Sequence, residues 1–159
     1  MNDPEPQADR PITGLAHVGL TVSDIDAAIA FWERFLEQPV SAKPVLDRPY
    51  VGELVGIPGV RIRAAFFELV QGVRLELLQY ASESHERSAL LHSEPGHAHV
   101  CLWTSNADDA WARAVACGAE PVNPTGPVSI DAGQHEGLRA AYLRVPPDGH
   151  VLELFARPV

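Results

Sequence analysis

Residues Ala16 to Val40 read AHVGLTVSDIDAAIAFWERFLEQPV, and residues Ala98 to Val122 read AHVCLWTSNADDAWARAVACGAEPV. The two stretches align without a gap over 25 positions, at an offset of 82. Ten positions are identical: Ala16/Ala98, His17/His99, Val18/Val100, Leu20/Leu102, Ser23/Ser105, Asp26/Asp108, Ala28/Ala110, Ala30/Ala112, Pro39/Pro121 and Val40/Val122. An ungapped match of this length marks an internal duplication. The ends of the two halves repeat as well. Gly72-Val73-Arg74-Leu75-Glu76-Leu77 and Gly149-His150-Val151-Leu152-Glu153-Leu154 share the pattern Gly-x-x-Leu-Glu-Leu. Each half therefore opens on a segment bearing His and closes on one bearing Glu. The boundary falls in the polar, turn-rich stretch from Ser82 to Gly96.

Each half reads as a strand, a helix and then further strands, an α+β pattern. Val18, Leu20 and Val22 alternate with His17, Gly19 and Thr21, the period of a half-buried strand. Ser23-Asp24 suits a helix N-cap. Ile25, Ala28, Ile29, Trp32 and Phe35-Leu36 follow at helical spacing, and Pro39 ends the run. In the second half Asn106 can cap, Ala107, Ala110, Trp111, Ala114 and Val115 form the apolar face, and Gly118 closes the helix. The best remaining strands are Arg61 to Leu69, Val73 to Tyr80, Ala140 to Val145 and His150 to Phe155, with a turn at Pro147-Asp148-Gly149. Ser41 to Val60 is rich in Pro and Gly and has no counterpart in the second half. It reads as a long loop with a short helix near Tyr50 to Val55, placed to cover a site. The expected division is a flexible leader over 1–11, a first module over 12–82, a linker over 83–95 and a second module over 96–159.

The totals narrow the function. The chain has 159 residues with 46% hydrophobic residues, enough for a packed core. It has no apolar run of membrane-spanning length, and Met1 to Pro11 lacks the pattern of a secretory signal. Cys101 and Cys117 are its only cysteines, which makes a disulfide framework the wrong reading and a reduced cytoplasm the expected setting. A net charge of −9 opposes contact with nucleic-acid phosphates.

The candidate site follows from strand parity. Leucines flank Glu76 and Glu153, so if the leucines face the helix the glutamates face away from it. The same parity holds for His17 and His99. Two imidazoles and two carboxylates on stiff strands form a donor set for a divalent ion, and a pseudo-twofold axis between the halves would bring them together. A lone strand His or Glu is ordinarily structural or solvated; the recurrence of the pair at matched places is what favours metal. Tyr50, Arg63, Phe67 and Trp103 are the candidate substrate-binding residues, by parity or by loop position.

These residues resemble the vicinal oxygen chelate superfamily, which includes glyoxalase I, methylmalonyl-CoA epimerase, extradiol dioxygenases, and fosfomycin and bleomycin resistance proteins. The resemblance covers Ile12 to Ala156. It is carried by Leu15-Ala16-His17-Val18-Gly19-Leu20-Thr21-Val22-Ser23-Asp24, Phe31-Trp32, Gly96-His97-Ala98-His99-Val100 and Pro147-Asp148-Gly149-His150-Val151-Leu152-Glu153-Leu154. It implies two tandem βαβββ modules forming a cupped, partly open mixed-sheet barrel around a metal held by His17, Glu76, His99 and Glu153. The order His, Glu, His, Glu is similar to that of bacterial glyoxalase I. Epimerases usually carry Gln where this chain has Glu76, and an acidic residue on the preceding strand where it has Arg63-Ala64-Ala65. Glu37 stands where the family's first helix usually ends in glycine.

The resemblance implies an isomerase, epimerase or lyase that chelates the vicinal oxygens of a small carbonyl substrate and stabilises an enediolate. One Ni, Zn, Co or Mn ion acts as Lewis acid, with Glu153 and Glu76 as catalytic proton carriers. A homodimer is expected, with neither nucleic acid nor membrane as partner. The alternatives are an extradiol-type dioxygenase, which would use Fe(II) with two His and one Glu, and a resistance protein that sequesters a small molecule without metal.

Overall fold

The computed structural model describes residues 14–81, 93 and 96–157. The expected leader and nearly all of the expected linker lie outside these residues. In chain order the elements are β1 (His17–Thr21), α1 (Ile25–Leu36), β2 (Val45–Leu46), α2 (Pro49–Val55), β3 (Ile62–Glu68) and β4 (Arg74–Tyr80). After them come β5 (His99–Thr104), α3 (Ala107–Ala116), β6 (Glu120–Pro121), β7 (Val128–Ser129), β8 (Arg139–Val145) and β9 (His150–Ala156). The first sheet has the order β1-β4-β3-β2, and the second β5-β9-β8-β6 with β7 paired to β8. In both, the first strand runs parallel to the last and the other pairs are antiparallel. The α+β class and the tandem modules expected from the sequence are present, as two mixed sheets, neither closed on itself.

The matched segments fold alike for local reasons. The Asp24 carboxylate accepts from the Asp26 and Ala27 amides, both at 3.0 Å, and caps α1. Asn106 does the same for α3, accepting from Asp108 at 2.9 Å and Asp109 at 3.2 Å. The identity of Asp26 and Asp108 has its own cause. Arg63 of β3 holds Asp26 at 2.8 Å, and Arg139 of β8 holds Asp108 at 2.6 Å. Each module thus braces its helix to its sheet with one Arg–Asp pair. Glu37 ends α1 in the left-handed region at φ 53°, the conformation that usually selects glycine, and its carboxylate pairs with Arg113 of α3.

One hydrophobic core runs through both modules. It joins Phe31, Trp32 and Phe35 of α1, Phe67, Leu75 and Leu77 of the first sheet, Ala114 of α3, and Leu143, Leu152 and Leu154 of the second sheet. The modules are also tied by polar contacts. The Ser23 amide donates to the Asp148 carboxylate at 2.8 Å, Arg34 donates to the Cys117 carbonyl at 2.8 Å, and His150 Nε2 lies 2.8 Å from the Thr21 carbonyl. Each sheet thus gives one face to the shared core and leaves the other outside it.

The 41–60 stretch carries β2 and the expected short helix, here α2. Val51 packs with Val60 and Ile62, and Leu46, Val55, Leu78 and Tyr80 pack against them. Ile62, Leu78 and Tyr80 lie on the outer face of the first sheet, so α2 covers one end of that face. Gly52 permits the close turn: a Cβ there would come within 2.9 Å of the Ile57 carbonyl oxygen. Among the described residues, no helix is long and apolar enough to cross a membrane.

Candidate functional site

The register settles which side chains share the outer faces. His17, Gly19 and Thr21 of β1 stand beside Arg74, Glu76 and Leu78 of β4. Leu75 and Leu77, on the other face, enter the core. His17 Nε2 lies 3.3 Å from Glu76 Oε2. In the second sheet Cys101 stands beside Glu153, and His99 Nε2 lies 3.0 Å from Glu153 Oε2. Each sheet therefore brings one His and one Glu together on its outer face. The two pairs stay apart within the chain, because the opposite faces of both sheets are buried together. Among the described residues, no group of three or more His, Cys, Asp or Glu is close enough to hold a metal ion.

The pairs differ in their surroundings. Glu153 is 8% exposed, with Cys101 beside it on β5 and Tyr142 beside it on β8. Burial, reinforced by the neighbouring Glu153 carboxylate, pushes the Cys101 thiol up to about 12 and raises the Tyr142 phenol above its ordinary value. The His99 and Tyr142 rings lie 5.4 Å apart. Around Glu76 the corresponding places hold Gly19 and Phe66, neither with a side-chain donor. A Cβ at Gly19 would lie 3.7 Å from Glu76 Oε2, so the glycine leaves space beside that carboxylate.

The sequence-predicted substrate residues fall in three places. Trp103 lies on the outer face, two residues beyond Cys101, and is 61% exposed. Tyr50 lies on α2 and is 60% exposed. Phe67 and Arg63 sit on the opposite face of β3 from Glu76: the residue beside Glu76 is Phe66. Phe67 is fully buried in the shared core, and Arg63 is spent on Asp26. Sequence reading missed Cys101 and Tyr142. Cys101 carries a signal, since it follows His99 by two on the same strand. Tyr142 has none without the β8–β9 register.

The comparisons agree with this architecture. Residues 16–142 match the model of the Glyoxalase/Bleomycin resistance protein/Dioxygenase superfamily. The chain belongs to this superfamily. No curated protein sequence matches it. A glyoxalase family protein from Bacillus cereus has a similar structure, with a TM-score of 0.74 and 20% identity, over 94% of this chain and 97% of that one. A mutant of the fosfomycin resistance protein FosX from Listeria monocytogenes, complexed with Mn(II) and 1S,2S-dihydroxypropylphosphonic acid, gives a TM-score of 0.58 at 21% identity, over 93% of both chains. A glyoxalase I mutant from Zea mays gives 0.59 at 15% identity, covering 91% of this chain but 45% of that one. The superfamily includes enzymes, and these likenesses establish the shared fold.

Proposed function

We propose that the chain is a divalent-metal-dependent enzyme of the glyoxalase type, an isomerase, epimerase or lyase acting on a small carbonyl compound with vicinal oxygens. The observation that carries this reading is the repeated His–Glu pair, at 3.3 Å in one sheet and 3.0 Å in the other. Two donor atoms each about 2.1 Å from one ion, at roughly a right angle, are about 3.0 Å apart. The spacing in both pairs suits adjacent ligands of a single ion. Imidazole with carboxylate suits Ni, Zn, Co or Mn. FosX was solved with Mn(II), which makes that ion a natural first probe.

The four donors His17, Glu76, His99 and Glu153 would hold the ion between two copies of the chain. Each copy turns its pairs away from its own core, so the His17–Glu76 face of one copy is complemented by the His99–Glu153 face of another. When bound, the metal supplies Lewis acidity toward a carbonyl oxygen. The chain's own residues divide the remaining work. Cys101 and Tyr142 flank the Glu153 carboxylate and limit its movement. Glu76 has its His17 contact and open space over Gly19, so it is free to turn and take a proton from the carbon beside the carbonyl.

The test is metal content of the purified protein beside a His17→Ala/His99→Ala variant. About one Ni, Zn, Co or Mn per chain, lost in the variant, supports the reading. Iron together with oxygen uptake on a catechol would favour the dioxygenase. No metal after incubation with each ion overturns the assignment and leaves ligand sequestration.

A further inference from the structure

A groove of about 500 Å³ opens at the end of the second sheet, bordered by Trp103, Arg157 and the 134–138 loop. Its geometry is built from rings. Trp103 meets Phe155 edge to face at 5.6 Å, and His135 lies against Phe155 at 5.2 Å. The Arg157 guanidinium carbon sits 5.8 Å from the centre of the Trp103 ring. Trp103 and Phe155 stand side by side on the face that carries His99 and Glu153, Phe155 two residues beyond Glu153 on β9 and Trp103 four beyond His99 on β5. Two residues of strand span roughly 7 Å. The groove thus lies at the end of the face that carries the second His–Glu pair, beyond it by roughly 7 Å along β9 from Glu153 and roughly 13 Å along β5 from His99.

At the matching place in the first module stands Thr21, which offers no ring. An indole that is 61% exposed, steadied by a second ring and a cation, is a ready surface for another flat group. Among the described residues Arg157 has no carboxylate within ion-pair reach. A guanidinium near an aromatic ring can still donate to an anion. Glu136 also borders the groove, so an anionic group would be favoured at the Arg157 end.

We infer that this groove is the far-end subsite of the candidate site, and that it takes an aromatic group bearing a carboxylate opposite the reacting carbonyl. The placing of the reacting end rests on the proposed function; the seating of the ring and carboxylate does not require metal.

The experiment is calorimetric titration of the full chain, metal-free and metal-loaded, with three probes. These are 4-acetylbenzoate, which has carbonyl, ring and distal carboxylate; acetophenone, which lacks the carboxylate; and levulinate, which lacks the ring. The expected result is that 4-acetylbenzoate binds at least about tenfold more tightly than either, even without metal. Arg157→Gln should bring it down to the level of acetophenone, with Arg157→Lys recovering part of the loss. Trp103→Leu should weaken it about tenfold, with circular dichroism unchanged. Equal binding of 4-acetylbenzoate and levulinate, or unchanged binding in both Arg157→Gln and Trp103→Leu, would overturn the inference. So would a Trp103→Leu variant that loses self-association but keeps its affinity, since the face would then be a contact between copies. Retained 4-acetylbenzoate binding in a protein that takes up no metal would sink the proposed function and leave the subsite standing.

Discussion

Phe66 and Tyr142 occupy the same register position in the two modules, one beside Glu76 and the other beside Glu153. Only the second carries a hydroxyl, and it stands beside the buried carboxylate. The duplicated scaffold therefore presents two similar His–Glu pairs in unlike settings, one flanked by Cys101 and Tyr142 and one beside Gly19 with room to move.

Tyr142→Phe copies the first module's arrangement into the second. A hydrogen bond from the Tyr142 hydroxyl to the buried carboxylate beside it would contribute about 1–3 kcal/mol. A loss of about that size in urea-induced unfolding is expected. An unchanged midpoint would mean that the hydroxyl does not hold the carboxylate.

The Cys101 thiol, pushed up to about 12 by burial and then by Glu153, should alkylate slowly in metal-free protein. A raised thiol pKa means less thiolate at any given pH, so the rate of iodoacetamide modification should reach half its maximum far above the ordinary value of about 8.5. Glu153→Gln removes the neighbouring charge but not the burial, so the midpoint should fall part of the way. A wild-type midpoint near the ordinary value would contradict the geometry of this pair.

Phe67→Ala separates packing from chemistry. The ring is fully buried in the core shared by the two modules, so its loss should cost about 3–5 kcal/mol. Because it lies across the sheet from Glu76, the folded fraction should bind Mn(II) as the wild type does. Selective loss of Mn(II) affinity with stability intact would place Phe67 at the site after all.

Gly52→Ala tests the cover over the first sheet. The new methyl would meet the Ile57 carbonyl oxygen at 2.9 Å and the Gly59 nitrogen at 3.2 Å, both backbone atoms. A cost of about 1–3 kcal/mol is expected, together with faster amide exchange across α2. Unaltered exchange in α2 would show that the turn can absorb the methyl.

The sequence carries the fold in its repeat. His17 and His99, with the two Leu-Glu-Leu triplets, fix the first and last strand of each module and their faces, since period-two alternation flanks each of them. The faces of β3 are not legible in the same way. Ile62, Ala64, Ala65 and Phe67 are all buried, so the strand shows no clean alternation. Its phase is set by the turn around Gly72, and that is why Arg63 and Phe67 fall on the core side. The two-residue strands β2, β6 and β7 are too short for any period to appear. Whether the His–Glu pairs meet depends on which sheet faces are buried together, a property of packing between modules that no local pattern encodes.

In the proposed dimer, His17 and Glu76 of one chain share a metal with His99 and Glu153 of another. Mixing a His17→Ala/Glu76→Ala chain with a His99→Ala/Glu153→Ala chain, followed by native mass spectrometry in Mn(II), tests it directly. Only the mixed dimer can assemble one complete set of four ligands, so it should carry one ion while both parent dimers carry none. Mixed dimers as empty as their parents, beside a metal-loaded wild type, would contradict a site shared between chains.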